Sequence, residues 1–382
     1  MIIGIDASRA AKQNKTGVEW YAYHVIENLV KLDTSDQFVL YIQNEPDAWL
    51  KKIGERANVK VKRLRWPVKF LWTQGRLSLE MLLHPPQALF IPASAVPVIH
   101  PRNTVAAIHD VGFMTYPKVY GRWQRWYLKW STKFAAKRAK TITTISEFSK
   151  RELVKYFAAD HNKISVTPLG YDAAKFKIIE NREEINNVLA KYNISQPFIL
   201  SVGRLERKKN VDGLVKALAI LQNTPFYSPP SQGGESRGYK LVLAGSPGYG
   251  WQEIEKIIKE NNLAEEVITL GYVDDDDLPA LYNAATVFVF PSLYEGFGLS
   301  LLEAFACGAP VVSSNATSLP EVGGEAALYV DPGDIAALAK AMQAILTDEN
   351  LRQELVNKGL ERVKNFSWER CARETLKILS EF

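Results

Sequence analysis

The residue types and spacings best suited to chemistry lie in one stretch, PSLYEGFGLSLLEAFACGAP at residues 291–310, which carries two carboxylates, Glu295 and Glu303, spaced Glu-x7-Glu. Before it, residues 285–290 (ATVFVF) are a short β-branched and aromatic run, the pattern of a buried parallel strand. Pro291 ends that strand. Glycines on both sides of Phe297, Gly296 and Gly298, let the backbone turn and bring its N–H groups close to a ligand with no Cβ in the way. Residues 299–306, from Leu299 on, carry apolar side chains at helical spacing, with Gly308 as a stop and Pro310 opening a second strand at Val311 and Val312. The helix start then aims its unpaired amides and positive dipole end over the carboxyl edge of the sheet, where anions bind. Carboxylates do not hold phosphate, but they accept hydrogen bonds from sugar hydroxyls. Amide donors for a diphosphate, with Glu295 and Glu303 available to the sugars at its two ends, make a site suited to a nucleotide-sugar. The spacing alone is equally consistent with two glutamates that merely favour a helix start.

Other strand ends carry reactive side chains too. Residues 198–203 (FILSVG) read as a strand running into the basic loop RLERKKN at 204–210 and a helix from Val211. Arg204 and Lys209, beside Gly203, would neutralise a diphosphate, Arg as a planar fork and Lys as a point charge; the other reading is a solvated charged loop. Residues 104–108 (TVAAI) read as a buried strand that delivers His109 and Asp110 at its carboxyl end, where ligands bind in open α/β sheets. His109 is there either a partner for a sugar hydroxyl or a structural histidine satisfied by local backbone. Gly17, at the head of the first helix, serves either close approach to a ligand or an ordinary turn. The four aspartates at 274–277 read as a helix N-terminal cap in preference to a metal site.

The elements that must position these residues alternate strand and helix along the chain, which implies α/β architecture with parallel sheets covered on both faces. A length of 382 residues calls for two domains. We place them at residues 1–176 and 177–366, with a last helix at 367–382 returning to the first. Two cysteines, Cys307 and Cys371, are too few for a disulfide framework and point to a reducing, cytoplasmic setting. No apolar run approaches bilayer length, and the opening MIIGI reads as a first strand, not a signal peptide. Net charge is +5 and unevenly spread: residues 60–69 and 120–140 mix Lys and Arg with aromatics. These are either solvated helix faces or a surface for peripheral contact with anionic lipid at the inner membrane face. No nucleic-acid motif accompanies them. Residues 225–238, rich in Pro, Gly and Ser, read as a flexible surface insertion.

The stretch EGFGLSLLEAFACGAPVV resembles the Glu-x7-Glu signature of the retaining glycosyltransferases of family 4, also called glycosyltransferase group 1. GRLERKKN resembles that family's Gly-Arg…Lys-Asn motif and AIHDVGF its His-Asp motif. The likeness spans nearly the whole chain, weakest at 50–88 and in the insertion. It departs at Gly17, a single glycine where many members have two. The resemblance implies the GT-B fold, two Rossmann-like domains with parallel sheets facing across a cleft that closes on substrate. It implies transfer of a hexose from a UDP- or GDP-linked donor to a glycan or lipid-linked acceptor, with retention of anomeric configuration, in polysaccharide biosynthesis. No cofactor or metal is needed. Arg204 and Lys209 would stabilise the departing diphosphate, with the amides at Gly298 and Leu299. Glu303 would bind the ribose, Glu295 and His109 the donor sugar, and Val273 would flank the base, while Gly17, Gly203, Gly296 and Phe297 complete the donor site. Alternatives are another GT-B activity, such as a phosphorylase or nucleotide-sugar epimerase, or a non-catalytic glycan- or nucleotide-binding protein.

Overall fold

A computed structural model of the chain describes residues 1–12, 15–32, 35–68, 71–223 and 238–382. The expected insertion at 225–238 falls, apart from Gly238, outside them. The chain divides into two compact units: unit 1 is Met1–Gly170 with Phe366–Phe382, and unit 2 is Tyr171–Asn365.

Unit 1 is built on β1 (Ile2–Asp6), β2 (Gln37–Ile42), β3 (Val59–Arg63), β4 (Ala88–Ile91), β5 (Thr104–Ala107), β6 (Thr141–Thr144) and β7 (Ile164–Val166). They pair in the order β3-β2-β1-β4-β5-β6-β7, every pairing parallel. Apolar runs such as ALFI in β4 are buried at every position, as expected for a strand covered on both faces. The order reverses between β1 and β4, so the loops leaving their carboxyl ends diverge and open a crevice there. Unit 2 repeats the plan with β8 (Phe198–Val202), β9 (Lys240–Ala244), β10 (Val267–Gly271), β11 (Val287–Phe290), β12 (Val311–Ser314) and β13 (Ala327–Val330). Their order is β10-β9-β8-β11-β12-β13, again parallel, with the reversal between β8 and β11.

The first junction lies earlier than residue 176 because residues beyond Gly170 pack on unit 2. Phe176 meets Tyr282 edge-on at 6.2 Å, and the Ile179 amide donates to Asn283 Oδ1 at 2.9 Å. Gly170 belongs to unit 1, where a Cβ on it would sit 2.0 Å from the Trp368 backbone nitrogen. Ser367 caps the final helix, Trp368–Ser380, by accepting from the Arg370 amide at 3.1 Å. Trp368 stacks on His24 of the helix Gly17–Leu32 at 4.9 Å.

Two expectations are revised. The aspartates at 274–277 do not act as a cap: Asp277 holds the N-cap position of the helix Leu278–Ala284 but makes no capping bond. Its carboxylate instead accepts from Lys191 Nζ at 2.6 Å and from the Tyr192 hydroxyl at 2.7 Å, Asp274 takes the same ammonium at 3.1 Å, and Lys175 pairs with Asp276 at 2.8 Å. The two basic-aromatic stretches also part company. In residues 60–68, Lys62 is paired with Glu80 and Arg63 with Glu45, while Trp66 packs on the cluster around Trp72, Leu77 and Met81; Lys69 lies outside the described residues. The helix Arg122–Arg138 instead presents Trp123 and Trp126 to solvent, 85% and 60% exposed, among basic side chains with no acidic residue.

Candidate active site

The reversal between β8 and β11 places the GRLERKKN loop and the EGFGL turn side by side in unit 2. Gly203 follows β8 with φ +139°, a conformation that costs a side chain and suits glycine. Beyond it the loop is zipped to the turn after β9: the Leu205 amide donates to the Ser246 carbonyl at 3.0 Å and the Gly248 amide to the Leu205 carbonyl at 2.8 Å. A short 3-10 turn, Arg207–Lys209, then leads into Asn210, which is left-handed (φ +58°) and ties the loop to the end of β13 through Nδ2 and the Pro332 carbonyl at 2.7 Å. From the other side the Leu293 amide donates to the Lys208 carbonyl at 2.9 Å. The two loops are thus stitched together before any side chain is considered.

Lys209 and Glu295 complete the join. Their ammonium and carboxylate form a direct ion pair, with only 22% and 11% of the two side chains exposed, and the ammonium lies 5.2 Å from the centre of the Phe290 ring. Burial pushes the Glu295 carboxyl up, but Lys209 and Lys208 together outweigh it, and the net direction is below the ordinary value. Glu295 is therefore ionised at neutral pH. Its turn is supported from β12. The Glu295 amide donates to Thr317 Oγ1 at 3.1 Å, and the buried Ser318 hydroxyl bridges the Glu295 and Phe297 carbonyls, 3.0 Å from each. Thr317 has φ +61°, an outlier for a β-branched residue that costs about 1–3 kcal/mol and is held by its surroundings. Neither Thr317 nor Ser318 stands out as a site residue in the sequence. The only signal there is the Ser- and Thr-rich run SSNATS after a strand.

Gly296 and Phe297 are buried, and Gly298 starts the helix Leu299–Ala306 at φ +104°. A Cβ on Gly298 would come within 2.6 Å of Leu319 Cδ2. No side chain caps this helix, so among the described residues the amides at Gly298 and Leu299 are left for an outside acceptor. Glu303 lies farther along the same helix and does not join the Lys209 pair. Its Oε2 accepts from the Tyr282 hydroxyl at 3.0 Å, and burial raises its carboxyl to about 7. Arg204 is 66% exposed along its side chain, with Nε 3.8 Å from the buried carboxylate of Glu206, so it is available to a ligand and not committed to the pair. Val273 is buried past the end of the edge strand β10, two strands from β8, beside the exposed Tyr272.

In unit 1, His109 follows β5. Its Nε2 lies 3.3 Å from the Pro92 carbonyl and its ring meets Tyr21 edge-on at 4.4 Å. Burial lowers its pKa, against the opposing pull of the Pro92 carbonyl, Asp110 and Glu19, so the imidazole is neutral at pH 7 and carries its proton on Nε2. That tautomer leaves Nδ1 as an acceptor for a hydroxyl. Gly17 begins the helix Gly17–Leu32, and a Cβ there would meet nothing within 4 Å, so no contact in the fold itself demands glycine. Just before it, the Thr16 amide and hydroxyl both donate to Glu19 Oε2, the amide at 3.2 Å.

Comparison with known proteins follows the same division. A family model described as glycosyl transferases group 1 matches residues 181–362, and one described as glycosyltransferase family 4 matches residues 15–175. The O-antigen chain mannosyltransferase B of Escherichia coli is 37% identical over 280 residues, covering 72% of this chain and 69% of that protein. Among solved structures, sucrose-phosphate synthase from Thermosynechococcus elongatus superposes with a TM-score of 0.76 at 22% identity, covering 100% of this chain and 98% of the other. Anabaena HepE, solved in complex with UDP-glucose, gives 0.73 at 17% identity, covering 100% and 99%. These likenesses establish the GT-B fold class.

Two stability measurements test the electrostatics of the site. Lys209→Met strands the Glu295 carboxylate and is expected to cost about 3 kcal/mol at pH 8. In the native protein the depressed Glu295 carboxyl contributes stability above the ordinary value of 4.5 and loses it on acidification. Without Lys209, burial raises the carboxyl and reverses the sign, so the variant loses stability as pH rises, and adding Glu295→Gln recovers most of the loss. Denaturant unfolding at pH 5 and 8 measures this, and equal losses at both would rule it out. For Glu303, raised to about 7, stability is full below 4.5 and falls as pH climbs through 7. Glu303→Gln should therefore stabilise the protein by about 2 kcal/mol at pH 8 and hardly at all at pH 5.

Proposed function

The chain belongs to the family 4 glycosyltransferases, and from that premise we propose that it is a retaining hexosyltransferase that takes mannose from a nucleotide-diphosphate donor to a glycan or lipid-linked acceptor. The observation that carries this reading is the Lys209–Glu295 pair at the β8–β11 reversal, next to the uncapped helix start at Gly298. Lys209 and the exposed Arg204 face the diphosphate with the free amides, and Glu295, fixed as an anion, accepts from donor-sugar hydroxyls. Glu303 accepts from the ribose diol once ionised, and His109 accepts a sugar hydroxyl at Nδ1. The choice of mannose rests on the likeness to the Escherichia coli mannosyltransferase.

In the reaction the bond from the anomeric carbon to the β-phosphate oxygen breaks, and the acceptor oxygen bonds to the same face of the sugar. The acceptor's proton passes to the leaving phosphate. The cations do not form bonds; they lower the energy of the charge that develops on the diphosphate, an effect typically worth a factor of about 10²–10³ per donor removed. The helix Arg122–Arg138 adds a location. Its exposed Trp123 and Trp126, flanked by the exposed Arg122, Lys129 and Lys133, suit the interface of an anionic membrane. Among the described residues no helix is long and apolar enough to cross one.

Calorimetry with UDP, GDP and their sugars, at pH 6 and pH 8, tests the donor site. We expect one base to bind in preference, more tightly at pH 8 as Glu303 ionises, and Arg204→Ala and Lys209→Ala to abolish transfer. Product NMR should show the donor's anomeric configuration; inversion, or no binding by any nucleotide, would overturn the reading. Co-sedimentation with vesicles tests the location. Binding should need anionic lipid, weaken with salt, and fall about tenfold in Trp123→Ala/Trp126→Ala, and equal binding of that variant would refute it.

A further inference from the structure

The loop after β8 runs extended beside the turn after β9. The Leu205 amide reaches Ser246, the Gly248 amide returns to Leu205, and the Arg207 amide donates to the Tyr249 carbonyl at 3.2 Å. Glu206, between these rungs, has φ −145° and ψ 161°, so successive side chains point to opposite sides. Leu205, 2% exposed, enters the core of unit 2, and Arg204 and Glu206 share the other face.

Glu206 is an expensive residue to place there. It is 4% exposed, and its Oε2 has no hydrogen-bond partner among the described residues. Arg204 Nε stands off from that oxygen at 3.8 Å, too far for a hydrogen bond. A buried carboxylate oxygen left without a donor lowers stability, and such atoms concentrate where function needs them. Gly248 bears on the same pair. A Cβ there would come within 2.9 Å of Glu206 Cβ and 3.0 Å of both Cγ and Nε of Arg204. The backbone of Gly248 is not left-handed, so it is this space and not a torsion that excludes a side chain. The stem of Arg204 therefore lies against a bare Cα with a carboxylate beside its Nε, while 66% of the side chain remains exposed.

We infer that Glu206 is a positioning residue for Arg204 in the transfer reaction, and that Gly248 provides the room for it. When a nucleoside diphosphate occupies unit 2, Arg204 Nε donates to Glu206 Oε2 and the terminal nitrogens face the phosphate oxygens. A guanidinium carries five N–H donors in one plane, so fixing one edge on a carboxylate aims the other. Glu206 is the fixed body of the two. Its backbone is held by rungs on both sides, and its carbonyl accepts from the Lys209 amide at 3.0 Å, so one residue sets both cations. The unpaired oxygen is thereby kept for a guanidinium that closes on it once the ligand is bound, a donor aimed before charge develops on the leaving group. The inference rests on the glycosyltransferase reading and deepens it.

The sign of one substitution tests it. A carboxylate that merely lies near a diphosphate repels it, and Glu206→Gln would then tighten binding, whereas loss of a positioning residue weakens it. Calorimetry on the full chain with UDP and GDP, and with uridine and guanosine, reads the difference. We expect Glu206→Gln to weaken the preferred nucleoside diphosphate about tenfold, the scale of one charge-assisted hydrogen bond, and to leave the matching nucleoside within about twofold. In an Arg204→Ala background, adding Glu206→Gln should bring no further loss, because the residue acts only through that guanidinium. Gly248→Ala should resemble Glu206→Gln; if it does not fold, the cycle of Arg204 and Glu206 decides alone. In turnover with the donor, kcat should fall by a larger factor than KM rises, since charge on the departing diphosphate is greatest in the transition state. Thermal unfolding of Glu206→Gln should give an unchanged or higher Tm, as an unpaired buried charge has been removed. Tighter or unchanged diphosphate binding in Glu206→Gln, an equal loss for the nucleoside with a lowered Tm, or a full further loss in the Arg204→Ala background overturns the inference and leaves the glycosyltransferase reading standing. Wild type that binds no nucleoside diphosphate removes both.

Discussion

The contact on which unit 2 depends is the ion pair of Lys209 and Glu295. It spans the point where strand order reverses, so it joins two loops that leave adjacent strands in opposite directions. A buried pair of this kind is poor evidence for stability, because desolvating two ions offsets most of their attraction. Its value here is positional. The ammonium cannot relax toward solvent without abandoning the carboxylate, and the carboxylate is fixed in turn by Thr317 and Ser318 beneath its backbone. A strained threonine and two loops pinned by mutual backbone bonds are what such pre-organisation requires.

The two glutamates of the Glu-x7-Glu spacing show how environment divides identical side chains. Glu295 sits between lysines and stays charged. Glu303 sits against a tyrosine hydroxyl with little counter-charge, and its proton is held to near neutrality. One is a permanent anion and the other becomes one when conditions or a ligand favour it. The spacing is the same in either case, so it is the residues packed around the helix, not the motif, that assign the two roles.

Alternation of apolar runs and breakers made both parallel sheets legible, and the turn glycines marked where backbone would adopt conformations closed to other residues. Gly203 and Gly298 have such torsions. What stayed hidden were partners from distant segments. Nothing local in SSNATS indicates that Thr317 and Ser318 hold up a turn two dozen residues earlier. Nothing in DDDD indicates that Lys191 and Tyr192 claim Asp277 before it can cap a helix. The basic stretches at 60–69 and 120–140 have similar composition, yet Glu45 and Glu80 neutralise the first and no acidic residue interrupts the helix of the second. Periodicity reports which face is buried, whereas it says nothing about which remote side chain arrives there.

The final helix has a consequence for how the chain is made. Unit 1 is completed by residues 366–382, which are synthesised after all of unit 2. During synthesis the seven strands of unit 1 are present long before Trp368 arrives to pack on Tyr21 and His24 of the helix Gly17–Leu32. Unit 2 can therefore reach its native state first, although its sequence starts later, and the nascent amino-terminal half waits with an uncovered apolar stripe. A cut within residues 366–382 would consequently injure the unit made earlier more than the one adjoining the cut.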